Sequence, residues 1–527
     1  MSKLKVLLIT GSLAEDIVKR YVQQSSVKTE VLALTVQVAA LLHIQNIARD
    51  LEKRDIHDFD VILVPGLIRG DTSVIADATG IPTFKGPRYA ADLPTVLDAL
   101  SKVKLSTVTP ACGLLREELQ RKALQELELV EKNWETLLKN PGNMMIKDLV
   151  FGKDFPMRVM AEIVDAPLML SDEIQRLAKR YVQLGAAIID VGMIAGESRP
   201  LDARRAVEAV KSVVNVPVSI DTFDPIEARE AVFAGADLIL SVDAGNVEEI
   251  ASFASDVAVV VIPTNQREGY FPKEVKERVT FLEELIEKAR KLGITRILGD
   301  LVLEPSNVLR SLIAFREFAK RNPDVPLFLG ATNFTELIDA DSVGVNALLA
   351  CLSSEVGVSI LLATEKSSKA KGSVRELATA SKMMFLAKKR DSVPKDLGLD
   401  LLVLKDKRLR EEPYNNELES GAQVISATGK LEPEVLDEKG LFKIAVDQIN
   451  GDIVALYLTG SQDDKPSIVI KGKTAENVYS KIEEMSLITR LDHAAYLGRE
   501  LAKAEIALRT GKEYVQDSPL FKKIDGF

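Results

Sequence analysis

Three short apolar runs carry acids to places where chemistry could occur. Ile188-Ile189-Asp190-Val191-Gly192 holds Asp190, Pro217-Val218-Ser219-Ile220-Asp221-Thr222 holds Asp221, and Arg296-Ile297-Leu298-Gly299-Asp300 ends on Asp300. Each run has strand length and precedes a helical pattern, the signature of a parallel sheet with buried strands. Ligands of such sheets bind at the carboxyl ends of the strands. Carboxylates side by side there suit the donor nitrogens of a flat heterocycle, because a buried carboxylate without a donor is costly. A second group is cationic. Thr364-Glu365-Lys366-Ser367-Ser368-Lys369-Ala370-Lys371-Gly372-Ser373 sets Lys366, Lys369 and Lys371 among small residues ahead of a helix, a pattern that can hold phosphate or diphosphate. Arg199, in the loop Gly196-Glu197-Ser198-Arg199-Pro200, can grip phosphate through two hydrogen bonds. The plainer alternatives are helix caps for the acids and a solvated loop for the lysines.

These residues need a frame. Strand candidates at 157–164, 186–191, 216–221, 237–242, 257–262, 296–300, 326–331 and 357–363 alternate with helical patterns. The helical patterns lie at 171–184, 201–214, 225–234, 246–255, 274–291, 306–320, 341–355 and 373–389. Eight strand–helix units of this size predict a closed (β/α)8 TIM barrel, with an open doubly wound sheet as the alternative. Upstream, strand-like runs at 3–10, 29–35, 60–64 and 80–84 predict a small Rossmann-like α/β domain over residues 1–113. A Leu-, Glu- and Lys-rich stretch, 114–144, reads as a connecting helix stopped at Pro141-Gly142. The barrel is then expected over 145–393. A small α+β domain over 400–527 follows, with Asn450-Gly451 turning a hairpin between 442–446 and 453–458. A strand at 466–471 and helices at 474–484 and 490–511 complete it.

Composition narrows the partners. At 527 residues the chain is long enough for several domains, and 46% hydrophobic residues are ample for sizeable cores. A net charge of −10 argues against nucleic acid or an anionic membrane as the main partner. Two cysteines, Cys112 and Cys351, make a disulfide framework unlikely on arithmetic alone. No apolar run reaches the length of a membrane span, and Met1-Ser2-Lys3-Leu4-Lys5 leads straight into a core-type strand, so a cytoplasmic protein is expected. The three histidines are scattered. His493, Tyr496 and Glu500 share one helix face and read as structural, while Arg69 and Arg88 sit in loops of the first domain.

Taken together, the first two acidic runs and the loop between them resemble the pterin-binding family of dihydropteroate synthase and the pterin-dependent methyltransferases. Asp190, Gly196 to Pro200 and Ser219 to Thr222 match the synthase pattern, apart from a missing Thr between Ser198 and Arg199. The resemblance covers roughly the middle half of the chain, and its three-domain layout is similar to synthase-related proteins of archaea and some methylotrophs. It implies that Asp190, Asp221 and Asp300 hold the pterin, with Glu197 and Arg199 in the neighbouring loop. Where the family has an Asn that helps hold magnesium and diphosphate, this chain has Glu162 and Asp165, so a magnesium ion stays an open option. Ser241 or Asn246 stands in for a missing amide after the fourth strand. The synthase's Ser-Arg-Lys is replaced by Gly330-Ala331-Thr332-Asn333, which is similar to the methyltransferases and makes Asn333 a pterin contact. The synthase's Arg-x-His is replaced by the lysine run.

The resemblance implies a transferase that joins a dihydropterin-methyl diphosphate to an arylamine, in making folate or tetrahydromethanopterin. Its rivals are a methyltransferase between a tetrahydropterin and a corrinoid or other acceptor, and a non-catalytic pterin carrier. A homodimer is compatible with either chemistry. Part of the barrel mouth is expected to be covered by a flanking domain or a second subunit.

Overall fold

The computed structural model describes residues 4–100, 103–405, 419–425, 427, 437–459 and 465–521. It forms two compact units. One comprises residues 1–129 and 394–426, the other 130–393 and 427–527. Residues 394–426 therefore group with the N-terminal unit, although the sequence pattern assigns everything beyond 400 to a C-terminal domain.

The N-terminal unit is built on four parallel strands, β1 (Lys5–Gly11), β2 (Lys28–Leu34), β3 (Val61–Val64) and β4 (Thr83–Lys85), in the order β2-β1-β3-β4. The central strand β1 is an apolar run buried on both faces. Leu7 and Ile9 face one core and Val6 and Leu8 the other. The connecting helix runs Ala111–Lys132, with a short turn of helix at Trp134–Leu137.

The barrel opens with a hairpin that the sequence pattern missed: β5 (Asn143–Ile146) and β6 (Leu149–Gly152), antiparallel. Ile146 and Phe151 pack among Met160, Ile188 and Leu238 of the barrel interior. The hairpin thus plugs the amino end of the barrel, and a boundary at 145 would cut β5 in half. Eight parallel strands follow: β7 (Arg158–Ile163), β8 (Ile188–Gly192), β9 (Val218–Asp221), β10 (Leu238–Val242), β11 (Ala258–Val261), β12 (Ile297–Gly299), β13 (Leu327–Gly330) and β14 (Val358–Ala363). They close because β14 pairs with β7, setting Leu361 opposite Val159, which removes the open-sheet alternative. Local chemistry sets the helix ends. Pro225 sits in the first turn of its helix, and Asp224 caps that helix by accepting from the Ile226 amide at 2.8 Å. Gly185, at φ +107, ends the helix Ser171–Leu184 with a left-handed residue.

The C-terminal part is an antiparallel sheet of β15 (Leu441–Asp447), β16 (Asp452–Leu458) and β17 (Ile468–Gly472), packed on helices Ala475–Glu484 and Leu491–Thr510. It touches the barrel's carboxyl face. Ser368, in the loop after β14, donates to Glu513 at 2.6 Å, and Gly511 lies against the Lys371 carbonyl. Among the described residues, no helix is long and apolar enough to cross a membrane.

Candidate functional site in the barrel mouth

Register, more than sequence spacing, assembles the acids. Glu162 on β7 stands directly opposite Asp190 on β8, and Asp190 opposite Ser219 on β9. Side chains alternate along a strand, so Ser219 and Asp221 share the inward face. Carboxylate oxygens of Glu162, Asp190 and Asp221 come within 4.8 Å of one another. Gly192 makes this possible. A Cβ there would collide with the Glu162 carboxylate, so the glycine leaves room for that side chain to lean across β8.

Asp190 is wholly buried. One of its oxygens accepts from Ser219 Oγ at 2.5 Å, and the other has no hydrogen-bond partner among the described residues. Burial, aided by the charges of Asp221 and Glu162, raises its carboxyl well above the usual range. Burial and the charges of Asp221, Glu336 and Asp165 push Glu162 up to about 8, with Lys366 opposing. Burial lifts Asp221 to about 6. At neutral pH the cluster therefore holds protons, and it can donate as well as accept hydrogen bonds.

Asp300 stands apart, at the end of β12. Its carboxylate accepts from the Val302 amide at 2.7 Å, and burial pushes it up to about 7. The turn it begins is held by Arg278, which is fully buried. Arg278 donates to the carbonyls of Pro272 (3.1 Å), Leu301 (3.3 Å) and Val302 (3.4 Å) and pairs with Glu304. Val302 takes φ +62 there, a conformation that a β-branched residue adopts only under constraint.

The mouth's other residues divide into reachable groups and braces. Asn333 is exposed, and its amide nitrogen leans over β13 so closely that a Cβ on Gly330 would lie 2.5 Å from it. It caps no helix; Asp341 occupies the cap position of the next one, Ser342–Val356. Asn246, by contrast, is spent on backbone. It accepts from the Asp243 amide at 2.9 Å and donates to the Ser241 and Phe223 carbonyls, tying the loops after β9 and β10 together. Ser241 contributes its carbonyl to that brace. Arg199 pairs with Glu197 at 2.6 Å and faces Asp202, while its own amide donates to Glu227. Thr222 bonds the same Glu227, so the Gly196–Pro200 loop is pinned to the loop after β9.

The three lysines do not converge. Lys366 pairs with Asp165 at 2.6 Å beside Glu162. Lys369 reaches away to the Ile338 carbonyl and Asp339. The Lys371 backbone lies against Gly511 of the C-terminal part. A loop sequence shows how many cations are present but not where each points. Glu336 was missed altogether. It receives the Ser367 amide at 3.2 Å and adds its charge to the mouth, and its one signal was its place three residues after Asn333, on the same helical turn. His493 is structural. It and the Thr489 and Arg490 amides bond the buried Asp437, which they hold well below the usual carboxylate range against its burial.

An uncharacterized protein of Methanocaldococcus jannaschii is 42% identical over 534 residues, covering 98% of this chain and 99% of its own length. The chain belongs to that protein's family. Within the family's length, residues 168–352 match the family described as pterin binding enzyme. Residues 436–517 match the family PterinBD-DUF4346, and residues 4–88 a family of unknown function. A Ycf91-like protein of a Nostoc species is 43% identical over 86 residues, 16% of this chain and 64% of that one. Solved dihydropteroate synthases cover about half the chain. The Yersinia pestis enzyme in a sulfonamide drug complex is 17% identical, over 47% of this chain and 100% of that one, with a TM-score of 0.38. The Xanthomonas albilineans enzyme in complex with 7,8-dihydropteroate is 21% identical, over 48% and 100%, also at 0.38. The closed (β/α)8 barrel is thus the part of the chain that matches the pterin-binding family.

For such a family member the mouth offers a consistent chemistry. The raised carboxyls at the floor can both donate and accept hydrogen bonds, and Asp300 stands on a separate strand. The donor set of Glu162, Asp190 and Asp221 is all hard oxygen, the kind a magnesium ion takes.

Proposed function

We propose that the barrel is a dihydropteroate synthase-like transferase that joins a dihydropterin-methyl diphosphate to an arylamine. The observation that carries it is the buried Asp190 carboxyl with one oxygen unpartnered, set within 4.8 Å of Glu162 and Asp221. A buried acceptor left empty is costly, and a pterin's ring NH and amino groups supply the missing donors. In this reading Asp221 and Asp190 hold one pterin edge and Asp300 another, and Asn333 contacts the ring from β13. The amine nitrogen attacks the pterin's exocyclic methylene carbon. The carbon–oxygen bond breaks, the diphosphate leaves with its electron pair, and the nitrogen gives up a proton to the departed diphosphate or to water. An arylamine is already nucleophilic, so the protein's part is alignment and charge compensation. Lys366 is the cation at hand. Its pair with Asp165 is exposed, and such pairs are worth only about 0–1 kcal/mol, so Lys366 can exchange Asp165 for a diphosphate. Magnesium, if bound by Glu162 and Asp221, would add positive charge beside that leaving group.

A second reading, methyl transfer from a methyl-tetrahydropterin, is favoured by two features. The exposed Asn333 amide lies at the β13 end, and Lys369 and Arg199 already face acids. One experiment separates the two. Purified protein is given dihydropterin-methyl diphosphate with an arylamine, and separately methyl-tetrahydropterin with a corrinoid acceptor. Condensation that falls in Lys366→Ala while bare-pterin binding persists supports the first reading. Methyl transfer alone overturns it, and pterin binding with neither turnover leaves a carrier.

A further inference from the structure

We infer that the N-terminal unit carries a small-molecule site of its own, for an aromatic carboxylate, in the crevice outside the carboxyl ends of β1 and β3. The inference does not rest on the pterin reading. Topology comes first. With the order β2-β1-β3-β4, the chain leaves β1 toward one side and β3 toward the other. Loops that part in this way open a crevice, and open parallel sheets bind ligands there. The structure has a cavity of about 330 Å³ at that point, within the range of small-molecule pockets.

The walls define the ligand's body. Leu8, Leu63 and Leu93 line the depth and Ile17 one side. At the opening, Leu13, Val38, Leu67 and Tyr89 line the same cavity and remain 60%, 45%, 50% and 41% exposed. Large apolar side chains gathered around an opening mark a surface awaiting an apolar partner. Charge defines the ligand's head. In a chain of net charge −10, the cavity is lined by Arg20 and Arg88 and by no Asp or Glu. Neither arginine is in an ion pair among the described residues. A guanidinium matches a carboxylate with two parallel hydrogen bonds. A phosphate fits less well, because the neighbouring helix Glu15–Val22 opens with Glu15 and Asp16, which repel a dianion from its amino end. Tyr21, with the Arg20 guanidinium 5.5 Å from its ring centre, adds an aromatic face to the same wall.

The test uses the full chain, with naphthoate and the isosteric, neutral naphthamide as probes in titration calorimetry. Naphthoate is expected to bind and naphthamide to bind at least about tenfold more weakly, a difference of ~1.4 kcal/mol. The double variant Arg20→Gln/Arg88→Gln should lose a similar factor for naphthoate. Both arginines are exposed, so its fold is expected to hold, and an unchanged melting curve checks that. A single Leu13→Glu variant at the exposed opening should also weaken naphthoate, while Asp221→Ala, in the barrel, should not. Equal affinity for acid and amide, loss of binding in Asp221→Ala, or no naphthoate binding near 1 mM (about −4 kcal/mol) would overturn the proposal.

Discussion

Replacing Asp300 with Asn should make the protein more stable and a poorer pterin binder, and the gain in stability should depend on pH. Burial raises the Asp300 carboxyl from the usual 3.8 to about 7. The folded state therefore prefers the protonated acid more strongly than the unfolded chain does. Below about pH 4 both states are protonated and the group costs nothing. As pH climbs from there to about 7, the unfolded chain ionises first, and native stability falls. Above about 7 the full penalty is present. At 1.36 kcal/mol per pH unit, it is about 4 kcal/mol. Asn is nearly isosteric and never ionises, and its carbonyl keeps the hydrogen bond from the Val302 amide. Asp300→Asn should thus match wild type near pH 4 and melt roughly 8–16 °C higher at pH 9, using about 2–4 °C per kcal/mol. The assay is a set of thermal melts from pH 4 to 9, alongside pterin titrations at pH 7. An equal Tm at pH 9, or a gain as large at pH 4, would refute the buried-charge argument. Undiminished pterin affinity would remove Asp300 from the site.

Asp221→Ala should weaken a reduced pterin by at least about 2 kcal/mol, because a charge-assisted acceptor is lost; calorimetry with equal affinities in both proteins would count against the assignment. Gly330→Ala puts a Cβ 2.5 Å from the Asn333 amide and should swing that side chain aside, lowering pterin affinity with little change in Tm; a crystal structure showing Asn333 unmoved would contradict this. Arg278→Leu leaves three carbonyls without that donor and Glu304 with Lys273 alone among the described residues, and should cost about 3–5 kcal/mol in denaturant unfolding, where a loss under 1 kcal/mol would be a failure. A barrel fragment starting at 145 should aggregate or unfold more readily than one starting at 130, since only the longer one keeps β5 whole over the barrel floor; equal melting temperatures would show that the plug is dispensable.

The barrel was legible because its strands are buried on both faces. Ala258–Val261 is apolar at every position, and such runs between helical patterns leave little choice of fold. The β5–β6 hairpin escaped because its turn, Lys147-Asp148, carries no Asn-Gly or Asp-Gly signal, though Lys147 adopts φ +51. Its strands are also four residues each, and the Pro141-Gly142 pair ahead of it reads as a helix stop. The acids were legible as strand-end residues, one at a time. Their chemistry was not, because a carboxyl's proton depends on what stands opposite it. Glu162 lies 28 positions from Asp190 in the sequence. The register sets the two face to face, and burial together with their mutual repulsion raises both carboxyls above the ordinary range. The cations carry the converse lesson. Lys366, Lys369 and Lys371 are close in sequence, but the loop between β14 and its helix spreads them over the mouth, the loop after β13 and the C-terminal part. Only Lys366 is left where a leaving group could meet it. In the proposed diphosphate chemistry a metal on the carboxylates would supply further positive charge. A methyl-transfer chemistry needs none, and the effect of removing divalent metal on turnover is what divides them.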